Sequence, residues 1–314
     1  MQRPDLDQIR TAHQRIAPYI HRTPVLTSAA LDAMCDASLF FKCENLQKAG
    51  AFKARGASNA VFSLDDETAA RGVVTHSSGN HAAALSWAAG LRGIPAHIVM
   101  PSNAPAVKRA AVEGYGGNIT LCEPTLASRE STANEVIART GAELIHPYDD
   151  YRIIEAQATA VIELFEEAGD LDVVLGPVGG GGLIAGTALA VHHLGLPTQV
   201  IACEPANADD ALRSFREGTI QPSIDPDTIA DGLRTQLSER TFDIIRDLVH
   251  DIVTVTEEEI ATAMRTVWER MKTIIEPSSA VPVAAALSGN LPIDRKRVGI
   301  IISGGNVDLG NLPF

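Results

Sequence analysis

Val173-Val-Leu-Gly-Pro-Val-Gly179-Gly-Gly-Gly182-Leu-Ile-Ala185 passes from an apolar, β-branched run through four consecutive glycines into a small-residue helical pattern. A short run that is apolar at every position reads as a strand buried on both faces, as in a parallel sheet covered by helices. Consecutive glycines cost conformational entropy on folding, so they need a reason. Close approach of backbone N–H groups to a phosphate, with the dipole of the next helix behind it, supplies one. A merely flexible turn is the plainer alternative.

Outward from that stretch, apolar runs at 38–43, 72–75, 96–100, 119–122, 199–203 and 298–303 join 173–176 as expected strands. Ala-rich helical patterns lie between them, at 80–91, 105–115, 128–140, 153–167 and 257–272. This alternation predicts an α/β protein with open, twisted, mostly parallel sheets flanked by helices. Pro105 is expected in the first turn of its helix, where a missing N–H costs nothing. Thr256-Glu257-Glu258-Glu259 reads as a capping box with an acid-loaded first turn. The block from about 72 to 149 holds enough alternations for a small sheet of its own. Residues 63–149 are therefore expected as a small domain inserted into a larger one built from 1–62 and 150–314. The cleft between two such units is where chemistry is expected. The stretch 222–241 is the longest without clear periodicity, and such a segment is usually functional or laid over a site.

The chain has 314 residues, 45% hydrophobic and 21% charged, enough for a sizeable core. A formal net charge of −13 argues against a nucleic-acid or anionic-membrane partner, while leaving room for a locally positive pocket. Cys35, Cys43, Cys122 and Cys203 form no C-x-x-C pair and no metal spacing, as expected of reduced thiols in a cytoplasmic protein. The opening Met1-Gln-Arg-Pro-Asp5 lacks the apolar core of a signal peptide, and no run approaches the ~18 apolar residues of a membrane span.

Three further segments carry chemistry. In Lys48-Ala-Gly-Ala-Phe-Lys53-Ala-Arg-Gly56, a glycine-containing loop becomes a helix near Phe52. A lysine at such a junction can be desolvated and near the positive end of a helix dipole, which lowers its pKa and suits Schiff-base chemistry. Considered alone, Lys53 could equally be a solvated surface lysine. His76-Ser-Ser-Gly-Asn-His81 lies between an expected strand and helix, an anion site suited to a carboxylate. The plainer reading is a helix cap by Ser77 or Ser78, with Gly79 for the turn. Ile300-Ile-Ile-Ser303-Gly-Gly-Asn306 ends an apolar strand in a serine and two glycines, and considered alone reads as a strand-ending turn.

Taken together, in this order and at these separations, the four segments resemble the fold-type II pyridoxal-phosphate enzymes, whose architecture is tryptophan synthase β-like. Within them the chain is most similar to the branch of serine/threonine dehydratases, 3-hydroxyaspartate dehydratases and serine racemases. The likeness runs from His21-Arg-Thr-Pro24 to Ser303-Gly-Gly-Asn-Val-Asp-Leu309. It implies that Lys53 binds pyridoxal phosphate covalently, that Phe52 packs by the cofactor and that Asn80 bonds its ring hydroxyl. Gly179, Gly180, Gly181 and Gly182 would cup the phosphate, and Ser303 would face the pyridine nitrogen. A serine there cannot hold the nitrogen as a pyridinium, and a neutral ring favours quick β-elimination. Ser77, Ser78, Gly79 and Asn80 would receive the substrate carboxylate. Lys53 would remove the Cα proton, and Ser78 would face the opposite side of Cα, where it can deliver one.

The same resemblance implies a divalent-cation loop in Glu204-Pro-Ala-Asn-Ala208-Asp-Asp210. Glu204 and Asp210 would supply carboxylates, and Ala208 a carbonyl, to Mg²⁺ or Ca²⁺; the alternative is a strand end before a capped helix. Arg129, in Glu123-Pro-Thr-Leu-Ala-Ser-Arg129-Glu130, matches an arginine that can meet a dicarboxylate, which would favour 3-hydroxyaspartate. Otherwise it is a solvated helix arginine paired with Glu130 or Glu123. Departures from the family pattern are Ala51, Ala82 and Ala83, Glu155-Ala-Gln-Ala-Thr159 with two glycines lost, and Pro147-Tyr-Asp-Asp150. They bear on substrate rather than cofactor. The expected activity is dehydration and deamination of L-serine, L-threonine or 3-hydroxyaspartate by a homodimer, with serine racemisation as the alternative. No C-terminal regulatory domain, and hence no feedback by isoleucine, is expected. A more distant alternative reads Gly180-Gly-Gly182-Leu-Ile-Ala185 as a dinucleotide fingerprint, with Glu204 on the ribose of an oxidoreductase cofactor.

Overall fold

Ten strands form two sheets in the computed structural model, which describes residues 2–314. In chain order they are β1 Val25–Leu26, β2 Ser38–Cys43, β3 Val73–His76, β4 Ala96–Pro101, β5 Asn118–Cys122, β6 Glu143–Leu144, β7 Val173–Pro177, β8 Gln199–Pro205, β9 Asp251–Val255 and β10 Arg297–Ile302. The six-stranded sheet runs β1-β2-β10-β7-β8-β9 and the four-stranded sheet β5-β4-β3-β6. Every pairing is parallel except that of the two-residue edge strand β1 with β2. The β7 stretch behaves as its composition demands. All five of its residues are buried, with Leu175 between Ile300 of β10 and Ile201 of β8. Separate apolar clusters cover the two faces of this sheet, and a third fills the four-stranded unit.

Several expectations are corrected in detail. Pro105 is the N-cap of the helix Ala106–Gly114 and not part of its first turn. The helix Asn80–Arg92 begins at Gly79 with no side-chain cap, so neither Ser77 nor Ser78 caps it. Strands β1, β6 and β9 and the helix Pro277–Leu287 were not anticipated. The capping box at Thr256 and Glu259 is present as expected. The alanines that replace glycine around Gln157 find their space elsewhere: Gly186 of the helix Gly182–His193 lies against the backbone of Ala158, where a Cβ would stand 2.8 Å from its nitrogen.

Behind the cleft sits a buried ionic cluster. Lys42 on β2, Glu44 just beyond it, Arg55 on the helix Lys53–Phe62 and Glu163 on the helix Tyr151–Ala168 are almost wholly inaccessible. Arg55 donates to both oxygens of Glu44 and both of Glu163 at 2.7–2.8 Å, and to Thr159 Oγ1 at 3.0 Å. Lys42 Nζ donates to Glu163 at 2.7 Å and to the Thr23 carbonyl at 2.6 Å. Burial alone would raise the Glu163 pKa, but bonds from His13 and Arg55 and the charges of Arg55 and Lys42 hold it well below the usual range.

Removing one member of a closed buried set strands the rest. Glu163→Ala is expected to cost about 3–5 kcal/mol in urea unfolding, because Lys42 and Arg55 lose a shared buried partner. A loss under about 1 kcal/mol would show that the cluster does not act as a unit.

Candidate active site

Three strand ends meet where the two sheets face one another: β3 at His76, β7 at Pro177 and β10 at Ile302. In parallel sheets, loops leaving the carboxyl ends of strands are where ligands gather. The Lys53 loop joins them through an isolated bridge between Ala51 and Gly304 and a bond from Phe52 N to the Ser303 carbonyl at 2.9 Å.

Lys53 is the first residue of its helix, and its amine lies 5.0 Å from the Phe52 ring centroid. It donates to the Pro147 carbonyl at 2.8 Å. Burial lowers its pKa to about 8, against the raising effect of Glu276. The turn Ser77–Gly79 leads into the helix Asn80–Arg92, whose first amides meet no capping side chain. Only Gly79 N finds a local partner, Ser77 Oγ, at 3.4 Å. Asn80 Nδ2 donates to both oxygens of Glu276, at 2.9 and 3.1 Å, and Asn80 Oδ1 accepts from Asn306 Nδ2 at 3.0 Å. Burial pushes the Glu276 carboxyl up to about 7, with the Asn80 bond opposing it. Ser303 shares a bond of 3.0 Å with Ser279 Oγ, which also binds the Gly304 backbone.

Each glycine of the loop is pressed by protein. A Cβ on Gly179 would stand 2.9 Å from Leu233 Cα, and one on Gly180 would enter the Tyr148 ring at 2.3 Å. Gly181 takes φ +89°, which disfavours any side chain. Among the described residues no acceptor takes the N–H of Gly179, Gly180 or Gly181. Buried amides without partners are uncommon, and these sit at the start of the helix Gly182–His193, where an anion is favoured.

At the side of the cleft, His146 lies edge-on to His76 and Tyr148, at 5.5 and 4.7 Å between ring centroids. Its Nδ1 accepts from Asp149 N at 2.9 Å, and burial lowers its pKa to about 4. The Arg129 guanidinium makes no hydrogen bond or ion pair among the described residues. It is close enough for its charge to act on His76 and Tyr148, so pairing with Glu130 or Glu123 is not how it is held.

Glu204, Ala208 and Asp210 cluster away from Lys53, at the end of β8 and the start of the helix Asp210–Glu217. Glu204 accepts from Ala211 N and Leu212 N at 2.9 and 3.0 Å, so its buried carboxylate caps that helix. That contradicts its alternative role on a cofactor ribose. Both Asp210 oxygens are buried without a partner. No group of three or more His, Cys, Asp or Glu side chains among the described residues is spaced for a metal; the expected set has two carboxylates and a carbonyl.

Sequence reasoning missed Glu276, Ser279 and the Pro147 carbonyl. A carboxylate just before Pro277, at a helix start, was the one available signal.

Residues 16–304 match the family model described as "Pyridoxal-phosphate dependent enzyme". The chain is 50% identical to the β-hydroxyaspartate dehydratase of Paracoccus denitrificans, over 99% of each protein. It is 53% identical to the serine racemase of Arabidopsis thaliana, over 98% of this chain and 95% of that one. The crystal structure of serine racemase from Dictyostelium discoideum superposes with a TM-score of 0.93 at 50% identity, covering 97% of this chain and 99% of that one.

The lowered Lys53 pKa makes a prediction with a definite sign. The amine is protonated below about pH 8 and neutral above it, and only the neutral form attacks an aldehyde. Uptake of pyridoxal phosphate by cofactor-free protein, followed by stopped-flow absorbance, should accelerate about tenfold per pH unit below 8 and level off above it. Lys53→Ala should retain no cofactor after borohydride reduction and mass spectrometry. A rate still climbing at pH 9.5 would contradict the desolvated amine.

Proposed function

We propose that this chain, which belongs to the family of pyridoxal-phosphate dependent enzymes and has its α/β fold of two mostly parallel sheets, removes water and then ammonia from a small β-hydroxy amino acid, with 3-hydroxyaspartate as preferred substrate. The reading is supported by one observation: the Arg129 guanidinium, without a hydrogen bond or ion pair among the described residues, acts by its charge on His76 and Tyr148, whose neighbour His146 also feels Lys53. A second anionic group on the substrate would satisfy Arg129, whereas serine or threonine would not.

The residues fit the cofactor. The unpaired amides of Gly179, Gly180 and Gly181 suit a phosphate, Lys53 the aldehyde, Phe52 the ring face, Asn80 the ring hydroxyl and Ser303 a neutral ring nitrogen. When bound, pyridoxal phosphate supplies an electron sink for the Cα–H bond. Ser77, Ser78, Gly79 and Asn80 offer the amides and hydroxyls that hold the α-carboxylate. Lys53 would take the Cα proton, and the β-hydroxyl would leave with that proton as water. The resulting enamine becomes an imine, and hydrolysis gives the 2-oxo acid and ammonium, so the water lost is regained.

A second reading, racemisation of serine, has its own support: the Ser78 hydroxyl is uncommitted within the turn, and named relatives include serine racemases. From the resemblance, the working form would be a cytoplasmic homodimer in which 63–149 is a small domain inserted into the larger one. Absorbance of the holoenzyme with L-serine, L-threonine and 3-hydroxyaspartate, with 2-oxo acid, ammonia and D-serine assayed alongside, tests both. Oxo acid from 3-hydroxyaspartate supports the proposal, accumulation of D-serine alone selects the second reading, and no turnover of any of them overturns both.

Arg129→Met should lower kcat/KM for 3-hydroxyaspartate about 10²–10³-fold, the worth of a desolvated bidentate pair, and that for serine by under about threefold. Equal losses on both substrates would remove Arg129 from substrate selection.

A divalent cation would be held by Glu204, Asp210 and the Ala208 carbonyl. The orphaned Asp210 oxygens support this, as do the two carboxyls that burial pushes up, Glu204 to about 8 and Asp210 to about 6. Millimolar Mg²⁺ should therefore raise the melting temperature by a few degrees, about 1–3 kcal/mol of linkage, and Asp210→Asn should abolish the effect. An unchanged Mg²⁺ response in that variant would place the cation elsewhere.

A further inference from the structure

Residues 218–238 connect the helices Asp210–Glu217 and Glu239–Leu248 through one short turn, Asp231–Leu233. The segment is irregular but not loose. Glu257 accepts from Ile229 N at 2.7 Å, Asn207 Nδ2 donates to the Asp227 carbonyl at 2.9 Å, and Ser278 Oγ accepts from Gly232 N at 3.1 Å. These bonds tie it to the six-stranded unit. Its turn rests on the glycine loop, with Leu233 Cα where a Cβ of Gly179 would otherwise stand.

From that turn Asp231 reaches across the cleft and pairs with Lys108, on the helix Ala106–Gly114 of the four-stranded unit. Two other ion pairs join the units, Arg152 with Glu143 and Arg240 with Asp149, and both lie where the chain crosses between them. The Lys108–Asp231 pair stands instead close to Glu276, whose carboxyl feels both charges. Glu276 in turn holds Asn80 of the four-stranded unit. Three links therefore span the cleft away from the crossover: Asn80–Glu276 within it, Asn80–Asn306 beside that, and Lys108–Asp231 at its rim.

We propose that Lys108 and Asp231 are positioning residues that latch the four-stranded unit shut over bound substrate, using the glycine-loop turn as their fixed post. Neither side chain touches the reacting atoms. The pair is partly exposed, at 28% and 41% for the two side chains, so it adds little to global stability. Its effect is on the balance between open and closed cleft, where a small free-energy difference moves populations severalfold. The inference rests on the cleft being the reaction site described above.

The test uses holoenzyme carrying spin labels at Ala110→Cys and Ile224→Cys, both exposed positions; the four native cysteines are buried. The distance between labels should lengthen or broaden in Lys108→Met and in Asp231→Asn. It should recover when Lys108→Glu is combined with Asp231→Lys. In the same proteins the single changes should raise KM for the substrate, and Kd for malonate, about 5- to 10-fold. Expected kcat changes stay within about twofold and the melting temperature within about 2 °C, unlike a structural defect. An unchanged label distance in both single variants overturns the latch, as does failure of the exchanged pair to recover it. A distance that responds in a protein turning over no hydroxy amino acid would defeat the proposed function and leave the latch standing.

Discussion

The arrangement depends on Arg55. Its guanidinium has five N–H donors, taken by Glu44 just after β2 and by Thr159 and Glu163 of the helix Tyr151–Ala168. An arginine buried this fully is tolerable only when its charge is met and its fork filled. Both conditions hold for a single placement of the helix Lys53–Phe62 against β2 and the helix Tyr151–Ala168. Because Lys53 opens that helix, the geometry that satisfies Arg55 also sets where the reactive amine emerges. The constraint is one of position more than of stability, since a buried ionic cluster gains little over a well-packed apolar one.

Lys53 then meets an environment that keeps its amine close to neutrality. Its partner at 2.8 Å is a carbonyl and not a carboxylate. The one buried carboxylate acting on it, Glu276, is itself pushed up to about 7 and bonded to Asn80. A fully ionised carboxylate against Lys53 would hold the amine protonated and useless as a nucleophile or base. The Ser303–Ser279 pair, bonded at 3.0 Å, likewise has hydroxyls and no carboxylate; in the proposed function Ser303 would face a neutral ring nitrogen.

Most of both sheets was legible in the sequence because parallel strands buried on two faces are apolar without interruption, as β7 and β10 are. What escaped did so for physical reasons. Strands β1 and β6 have two residues each, too few for any period. At a sheet edge, β9 alternates only imperfectly. The helix Pro277–Leu287 is buried around most of its circumference and contains Pro282, so it shows neither an amphipathic stripe nor an uninterrupted helical composition. In the site, the glycines stood out by themselves, while Lys53, the Ser77–Asn80 turn and Ser303 took their meaning from the joint resemblance of the four segments. Glu276 and Ser279 did neither; their meaning comes from Asn80 and Ser303, brought beside them only by folding. The long aperiodic segment was noticed but its purpose was not, since Leu233 against Gly179 is a contact between distant parts of the chain.

The chain is nearly as identical to a dehydratase as to a serine racemase, 50% and 53%, and in the proposed function the two reactions share their opening chemistry. Both would begin with Lys53 taking the Cα proton, and they part at the next step. Either the β-hydroxyl departs, or a proton returns from the other face, the side that the resemblance gives to Ser78. Elimination is favoured by anything that steadies the substrate's side chain as its hydroxyl leaves, and return by anything that brings the Ser78 hydroxyl close to Cα. In the proposed function Arg129 would act on the first of these. A β-carboxylate held by a guanidinium has lost the rotation that would otherwise carry its hydroxyl out of line with the Cα–H bond being broken, so the leaving group stays aligned while the proton moves. Serine has no such handle, and its hydroxymethyl group turns freely. On that proposal the same cleft would be biased towards elimination with a dicarboxylate and left open to proton return with serine.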